Sequence, residues 1–188
     1  MPYKEYSVVD NTLIITGKFF GVSTGLLGGW KHVDCAFNHT VSTNFDFMNP
    51  TKYLKSIAKK LGLKKYFGLL TSVPMDKLCI KSCDEVTIFA TAGVLNPNEE
   101  IGTINMIAVL ECRLPKSALL NAIVTITESK SKTLIEKGYN FTGTNTDAVV
   151  VLTNKKGKYY KYSGPASELG KKIWIAASKA ISGSLDKW

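Results

Sequence analysis

The sequence predicts an α+β fold: a mixed, mainly antiparallel sheet packed with about three or four helices, as a single domain over residues 1–188. Three observations carry this. A chain of 188 residues is long enough for one sizeable hydrophobic core. Hydrophobic residues make up 45% and charged residues 21%, the balance of a folded globular chain and not of a disordered one. Strand-like and helix-like runs mix without the strict βαβ rhythm of a parallel sheet.

Taken in order, residues 6–9 and 12–16 (TLIIT) read as strands around an Asp10-Asn11 turn. KFFGVST follows Gly17 as a further apolar piece, so the opening resembles a β-meander. GLLGGWKHVDCAFNHTV is glycine-rich and is predicted to be a loop running into a strand over 35–41. Asn49-Pro50-Thr51 starts a helix to about Leu61, which Gly62 ends behind a lysine-rich last turn. YFGLLTSV (66–73) reads as a buried strand stopped by Pro74, and a short helix is predicted over 74–82. Residues 85–94 and 102–112 read as strands. Pro115 opens a long helix to Lys137, closed by Gly138. DAVVVLT and KYYKYS are predicted to form a hairpin around Lys155-Lys156-Gly157, and a last helix covers roughly 165–182.

The formal net charge is +9. Nearly all of the excess is scattered lysine, with Arg113 the single arginine, whereas base readout and bidentate phosphate clamps favour arginine. A solvated lysine-rich surface is therefore expected, with no nucleic-acid partner. An RNA-binding protein should interleave exposed aromatics with basic residues on strands, and only KYYKY (158–162) does so. No apolar run approaches the roughly 18 residues of a membrane span, and the first residues lack a signal peptide's apolar stretch. Four cysteines (35, 79, 83, 112) are too few for a disulfide scaffold, so a reduced, cytoplasmic setting is expected.

Several chemistries lack their motifs. There is no Walker loop and no G-x-G-x-x-G after a strand. His32, Cys35 and His39 have a zinc-like spacing without a paired second half, so no metal is expected. Polar residues nevertheless interrupt two apolar faces. On the 115–137 helix, Leu119, Leu120, Ile123, Val124, Ile126, Leu134 and Ile135 define one arc, with Thr127, Lys130 and Ser131 inside it and Glu128 beside it. An inward lysine requires a partner or a stem that snorkels to water. Asp147, in TGTNTDA, shares the strand face of Val149 and Val151, where it either caps a turn or serves a site.

Six blocks in matching order resemble the adenosylcobinamide amidohydrolase (CbiZ) family. LLGGW with FNHTV is similar to its double glycine followed by N-x-x-V, and ATAGVLNP to its T-A-G-x-x-N turn. GTINMI is similar to its G-T-I-N segment, and Glu128-Ser129-Lys130 stands where its long helix carries E-A-K. TGTNTDAVVV is similar to its T-G-T-x-T-D strand entrance, and YSGPASELG to its Y-x-G-x-x-T-x-L-G, with Ser167 in place of the usual threonine. The resemblance implies hydrolysis of the amide between the aminopropanol arm and the corrin ring of adenosylcobinamide, giving adenosylcobyric acid for corrinoid salvage. It places Asp147, Glu128, Lys130 and His39 as catalytic candidates converging on one pocket. Asn38, Gly28, Gly29, Thr91, Gly93, Asn96, Asn105, Thr142, Thr144 and Thr146 become substrate-binding candidates. The corrinoid would be substrate and no cofactor is implied, since neither histidine sits in a cobalt-ligating D-x-H-x-x-G. A non-catalytic corrinoid-binding module stays open as an alternative, as does the oligomeric state, a homodimer included.

Overall fold

The computed structural model describes residues 3–42, 45, 49–93 and 102–188. Its strands are β1 (Tyr6–Val9), β2 (Thr12–Ser23), β3 (Gly29–Thr40), β4 (Tyr66–Thr71), β5 (Cys79–Cys83), β6 (Val86–Gly93), β7 (Thr103–Leu110) and β8 (Ala148–Thr153). Its helices are α1 (Pro50–Lys60), α2 (Lys116–Glu136) and α3 (Glu168–Leu185). The strands form one mixed sheet in the order β4-β3-β2-β8-β7-β6-β5, with β1 also on β2. Among the described strands only β3–β4 and β7–β8 run parallel.

Strand β2 organises the sheet. It leaves a tight turn at Asp10 and Asn11, whose φ values of +47° and +55° suit the twist of a two-residue hairpin. It pairs with β1 through Ile15, shifts register between Thr16 and Phe19, and pairs with β8 from Phe20 to Ser23. Gly21 permits the second pairing, because a Cβ there would stand 2.5 Å from the Val151 carbonyl oxygen. The sheet folds over at this bulge. Leu13, Ile15, Ala36 and Phe67 of one half pack on Phe89, Ile107, Val150 and Leu152 of the other. Helix α1 covers the outside of the first half through Phe37, Leu54 and Ala58. Helices α2 and α3 cover the outside of the second through Leu119, Ile126, Ile173 and Ala177.

The helix limits follow local chemistry. The Asn49 side chain accepts from the Lys52 N–H at 3.1 Å, and Gly62 and Gly138 take the left-handed conformation after their helices. The departures from the sequence expectations involve pairing. β2 and β3 run as long strands across 12–40 because each holds the other in register, where a meander piece and a loop were expected. Residues 74–82 form a short 3₁₀ turn, Met75–Lys77, and then β5, because the tight turn at Asp84 (φ +50°) hairpins β5 onto β6. Residues 158–162 form no hairpin strand with β8, since β2 and β7 already occupy both of its edges. They make one bridge, Arg113 to Tyr159. On α2 the buried face is rotated from the expected arc. Leu120, Val124 and Ile135 are about half exposed, and Ala122, Thr125, Ser129 and Thr133 face inward. Small residues permit the close approach of α3, where the Ser129 hydroxyl donates to the Trp174 carbonyl.

A polar cluster ties the β5–β6 turn to α3. Lys172 Nζ lies 3.1 and 3.0 Å from the two Glu85 carboxylate oxygens, and the Tyr160 hydroxyl donates to Glu85. Burial pushes the Glu85 carboxyl up, but the hydrogen bonds from Tyr160 and Lys172 outweigh it and hold the group below its ordinary value. A carboxyl depressed in the folded state stabilises above its unfolded pKa of about 4.5, and that contribution disappears as pH falls through the lower folded value. Glu85→Gln is therefore expected to destabilise at pH 7 and to match the parent in strong acid, as measured by denaturant unfolding across pH.

Candidate functional site

The first residues of β7 and β8 lie side by side, with Asn105 opposite Ala148, and polar residues gather at this end of the sheet. Alternation along each strand divides them between two faces. Asp147 precedes β8 in phase with Val149 and Val151 and faces the α2–α3 layer. There the buried face of α2 presents Lys130, whose Nζ is 2.5 Å from Asp147 Oδ2, with side chains only 9% and 12% exposed. Asp147 Oδ1 also accepts from the Ile104 N–H at 2.8 Å and the Thr144 hydroxyl at 2.6 Å. Oδ2 accepts from the Thr144 N–H at 3.0 Å. The aspartate thus closes the 144–147 turn, fastens it to β7 and holds a buried ammonium group. The lysine does not snorkel, because it meets its counter-charge.

On the inner face Asn38 of β3, Thr91 of β6 and Asn105 of β7 meet. The Asn38 amide donates to Thr91 Oγ1 at 2.9 Å. The Asn105 amide donates to Asn38 Oδ1 at 3.0 Å and to the Leu70 carbonyl at 2.7 Å. All three side chains are buried, so the network joins the two halves of the folded sheet in the interior. One rung outward, the Thr103 and Thr146 hydroxyls are 3.0 Å apart.

The other expected site residues are distributed as follows. Glu128 is exposed on the outer flank of α2 beside Thr127 and Ser131. His39 faces α1, with Nδ1 2.8 Å from Thr12 Oγ1 and Nε2 3.2 Å from the Tyr53 hydroxyl. Burial first, then the positive field of Lys60, lowers its pKa. The structure therefore brings Asp147 and Lys130 together and places Glu128 and His39 apart from them. Gly28 closes the β2–β3 turn, where a Cβ would be 2.3 Å from the Ser23 carbonyl oxygen, and Gly29 opens β3 at φ +79°. Gly93 leaves room for the Trp188 ring, which a Cβ would approach to 2.7 Å. Thr142 is exposed and its carbonyl accepts from Ser131 Oγ at 3.3 Å. Asn96 lies outside the described residues. Cys35 is buried, its thiol pushed up to about 11 by burial and by the Asp34 charge, and it lies on a different part of the sheet from Cys79 and Cys83. Among the described residues no three His, Cys, Asp or Glu side chains are grouped to hold a metal ion, and no helix is long and apolar enough to cross a membrane.

Two contributors were not singled out from sequence. Gly143 abuts the ion pair, since a Cβ there would stand 2.4 Å from Lys130 Nζ and 2.6 Å from Asp147 Oδ2. Its position inside the TGTNTD run was the available signal. The Ile104 backbone N–H had none, because a main-chain donor carries no residue signature.

A profile of the CbiZ family, adenosylcobinamide amidohydrolase, matches residues 15–188. The chain is 43% identical to the adenosylcobinamide amidohydrolase of Methanosarcina mazei, over 97% of this chain and 98% of that one. The chain belongs to the adenosylcobinamide amidohydrolase family. It is also 29% identical to the adenosylcobinamide amidohydrolase of Halobacterium salinarum, over 88% of this chain and 79% of that one. An uncharacterized protein of Methanocaldococcus jannaschii is 29% identical over 85% of this chain and 79% of its own length. In family terms, the G-T-I-N segment supplies Ile104 and Asn105, the long helix supplies Lys130 and the T-G-T-x-T-D entrance supplies Thr144 and Asp147. These separate blocks of sequence meet at one end of the sheet.

Proposed function

We propose that this protein hydrolyses the amide joining the aminopropanol arm to the corrin ring of adenosylcobinamide, with residues 1–188 acting as one amidohydrolase domain in cytoplasmic corrinoid salvage. The observation that carries the proposal is the family match over 15–188, together with 43% identity to the Methanosarcina mazei amidohydrolase along nearly the whole of both chains. In the reaction water oxygen bonds to the carbonyl carbon, the C–N bond breaks, and a proton goes to the departing amine. Adenosylcobyric acid and free aminopropanol result. Amide hydrolysis needs a donor for the developing oxyanion and an acid for the leaving nitrogen. The Lys130 ammonium suits either task. Asp147, with every lone pair directed at a donor, acts as its anchor. Thr142 and Thr146 at the exposed rim orient substrate amides, and Glu128 and His39 take no step here.

The decisive assay incubates the purified protein with adenosylcobinamide and no added nucleotide. Mass spectrometry should detect adenosylcobyric acid and aminopropanol. One observation favours a second reading: the Asp147 carboxylate is saturated by four hydrogen bonds, as a purely structural staple would be. Corrinoid binding without aminopropanol release would establish that non-catalytic reading instead. Gly143→Ala provides a finer check. Its methyl group must displace Lys130 Nζ, because Asp147 is fixed to β7, so turnover should fall about tenfold to a hundredfold and the unfolding midpoint should fall as well.

A further inference from the structure

We propose that the cleft beside Phe20 is a second ligand site, one that takes a mononucleotide. Phe20 of β2 and Trp30 of β3 stack with an interplanar angle of 11° and centroids 5.7 Å apart, and the His32 ring lies 4.8 Å from Phe20. Trp30 is 38% exposed on this face. Two ammonium groups stand over the same Phe20 ring, Lys155 Nζ at 4.6 Å and Lys116 Nζ at 5.8 Å from its centroid. Among the described residues neither has a carboxylate within salt-bridge distance, although Lys130, Lys158 and Lys172 all do. The cleft itself is lined by Phe20, His32, Lys18, Lys65 and Lys155 with one carboxylate, Asp34, and Trp30 and Lys116 adjoin it through Phe20. Lys155 Nζ lies 3.4 Å from His32 Nε2, a neutral partner that leaves its charge uncompensated. Like charges without a counter-ion on an aromatic surface are relieved by an anion, and the stacked rings accept a planar group.

Size excludes a corrin macrocycle. The cleft holds about 220 Å³, below the roughly 300 Å³ at which pockets that enclose drug-sized molecules begin, so it seats part of a mononucleotide and leaves the rest in solvent. A single stacked pair also lacks the succession of platforms along which single-stranded nucleic acid binds. The cleft is separate from the Lys130–Asp147 pair. Phe20 is paired with Thr153 at the far end of β8, six residues beyond Asp147 or roughly 20 Å along the strand. The combination of aromatics and basic residues on strands, which sequence alone located only at 158–162, is assembled here from β2, β3, the start of α2 and the loop after β8.

The test is calorimetric titration of the full chain, in low salt, with AMP, adenosine, inorganic phosphate and a short oligoadenylate. AMP should bind, with adenosine and phosphate each at least roughly tenfold weaker, because base and phosphate are held by different groups. Lys155→Gln and Trp30→Leu should each weaken AMP by about tenfold. Lys130→Met should leave AMP affinity unchanged, and Lys155→Gln should leave adenosylcobinamide turnover unchanged. The proposal fails if the parent protein does not bind AMP, if phosphate alone binds as tightly, or if Lys155→Gln has no effect on AMP. An oligoadenylate bound more than roughly a hundredfold more tightly than AMP would also overturn it, in favour of a nucleic-acid surface.

Discussion

Lys130→Met is expected to lower adenosylcobinamide turnover by roughly a hundredfold or more, the size of a lost proton donor or oxyanion partner, in a protein that still folds. Methionine keeps the apolar stem of the lysine on the buried face of α2 and removes only its charged end. The Asp147 carboxylate is then left with the Ile104 N–H, the Thr144 N–H and the Thr144 hydroxyl, three donors that keep it satisfied. Activity and stability should therefore separate. Aminopropanol release measured by mass spectrometry should drop sharply, and the circular-dichroism spectrum should be retained. Turnover within a few-fold of the parent would remove Lys130 from the chemistry and leave the family-level function to stand on the comparisons.

Asp147→Asn should act mainly on the fold. The carboxylate accepts four hydrogen bonds through two oxygens. An amide has one oxygen, and its NH₂ group would point at donors. The change also leaves the Lys130 ammonium nearly buried without its counter-charge. Breaking a buried pair from one side costs about 3–5 kcal/mol. Denaturant unfolding should show a loss of this size, larger than for Lys130→Met. A loss under about 1 kcal/mol would mean the pair behaves as a surface salt bridge, and the anchoring role of Asp147 would have to be given up.

The contrast between these variants reflects what could be read before the fold was known. Periodicity located both anomalies. Lys130 is inward on a helix and Asp147 is in phase with Val149 and Val151, and both statements need only the repeat of the element concerned. Periodicity did not reveal that the two residues meet, although it does account for Glu128, two residues from Lys130, turning to solvent. Around 3.6 residues per turn, a shift of two positions carries a side chain roughly to the opposite side of the helix.

What depends on neighbouring backbone was legible before any fold was known. The starts and stops of α1 and α2 follow from Asn49, Gly62, Pro115 and Gly138, and the first turn from Asp10 and Asn11, because capping and left-handed φ act within a few residues. Ordered local blocks also specified the family. Long-range packing set the long β2–β3 pair, β5 in place of a helix, the absence of a strand at 158–162, and the place of His39 on the α1 side. Each of these depends on which strand edges are already taken and on where the sheet folds over. Such pairings join residues far apart in the chain, as in the bond from the Ile104 N–H to Asp147, which spans 43 positions, and their energy comes from partners that no local window contains.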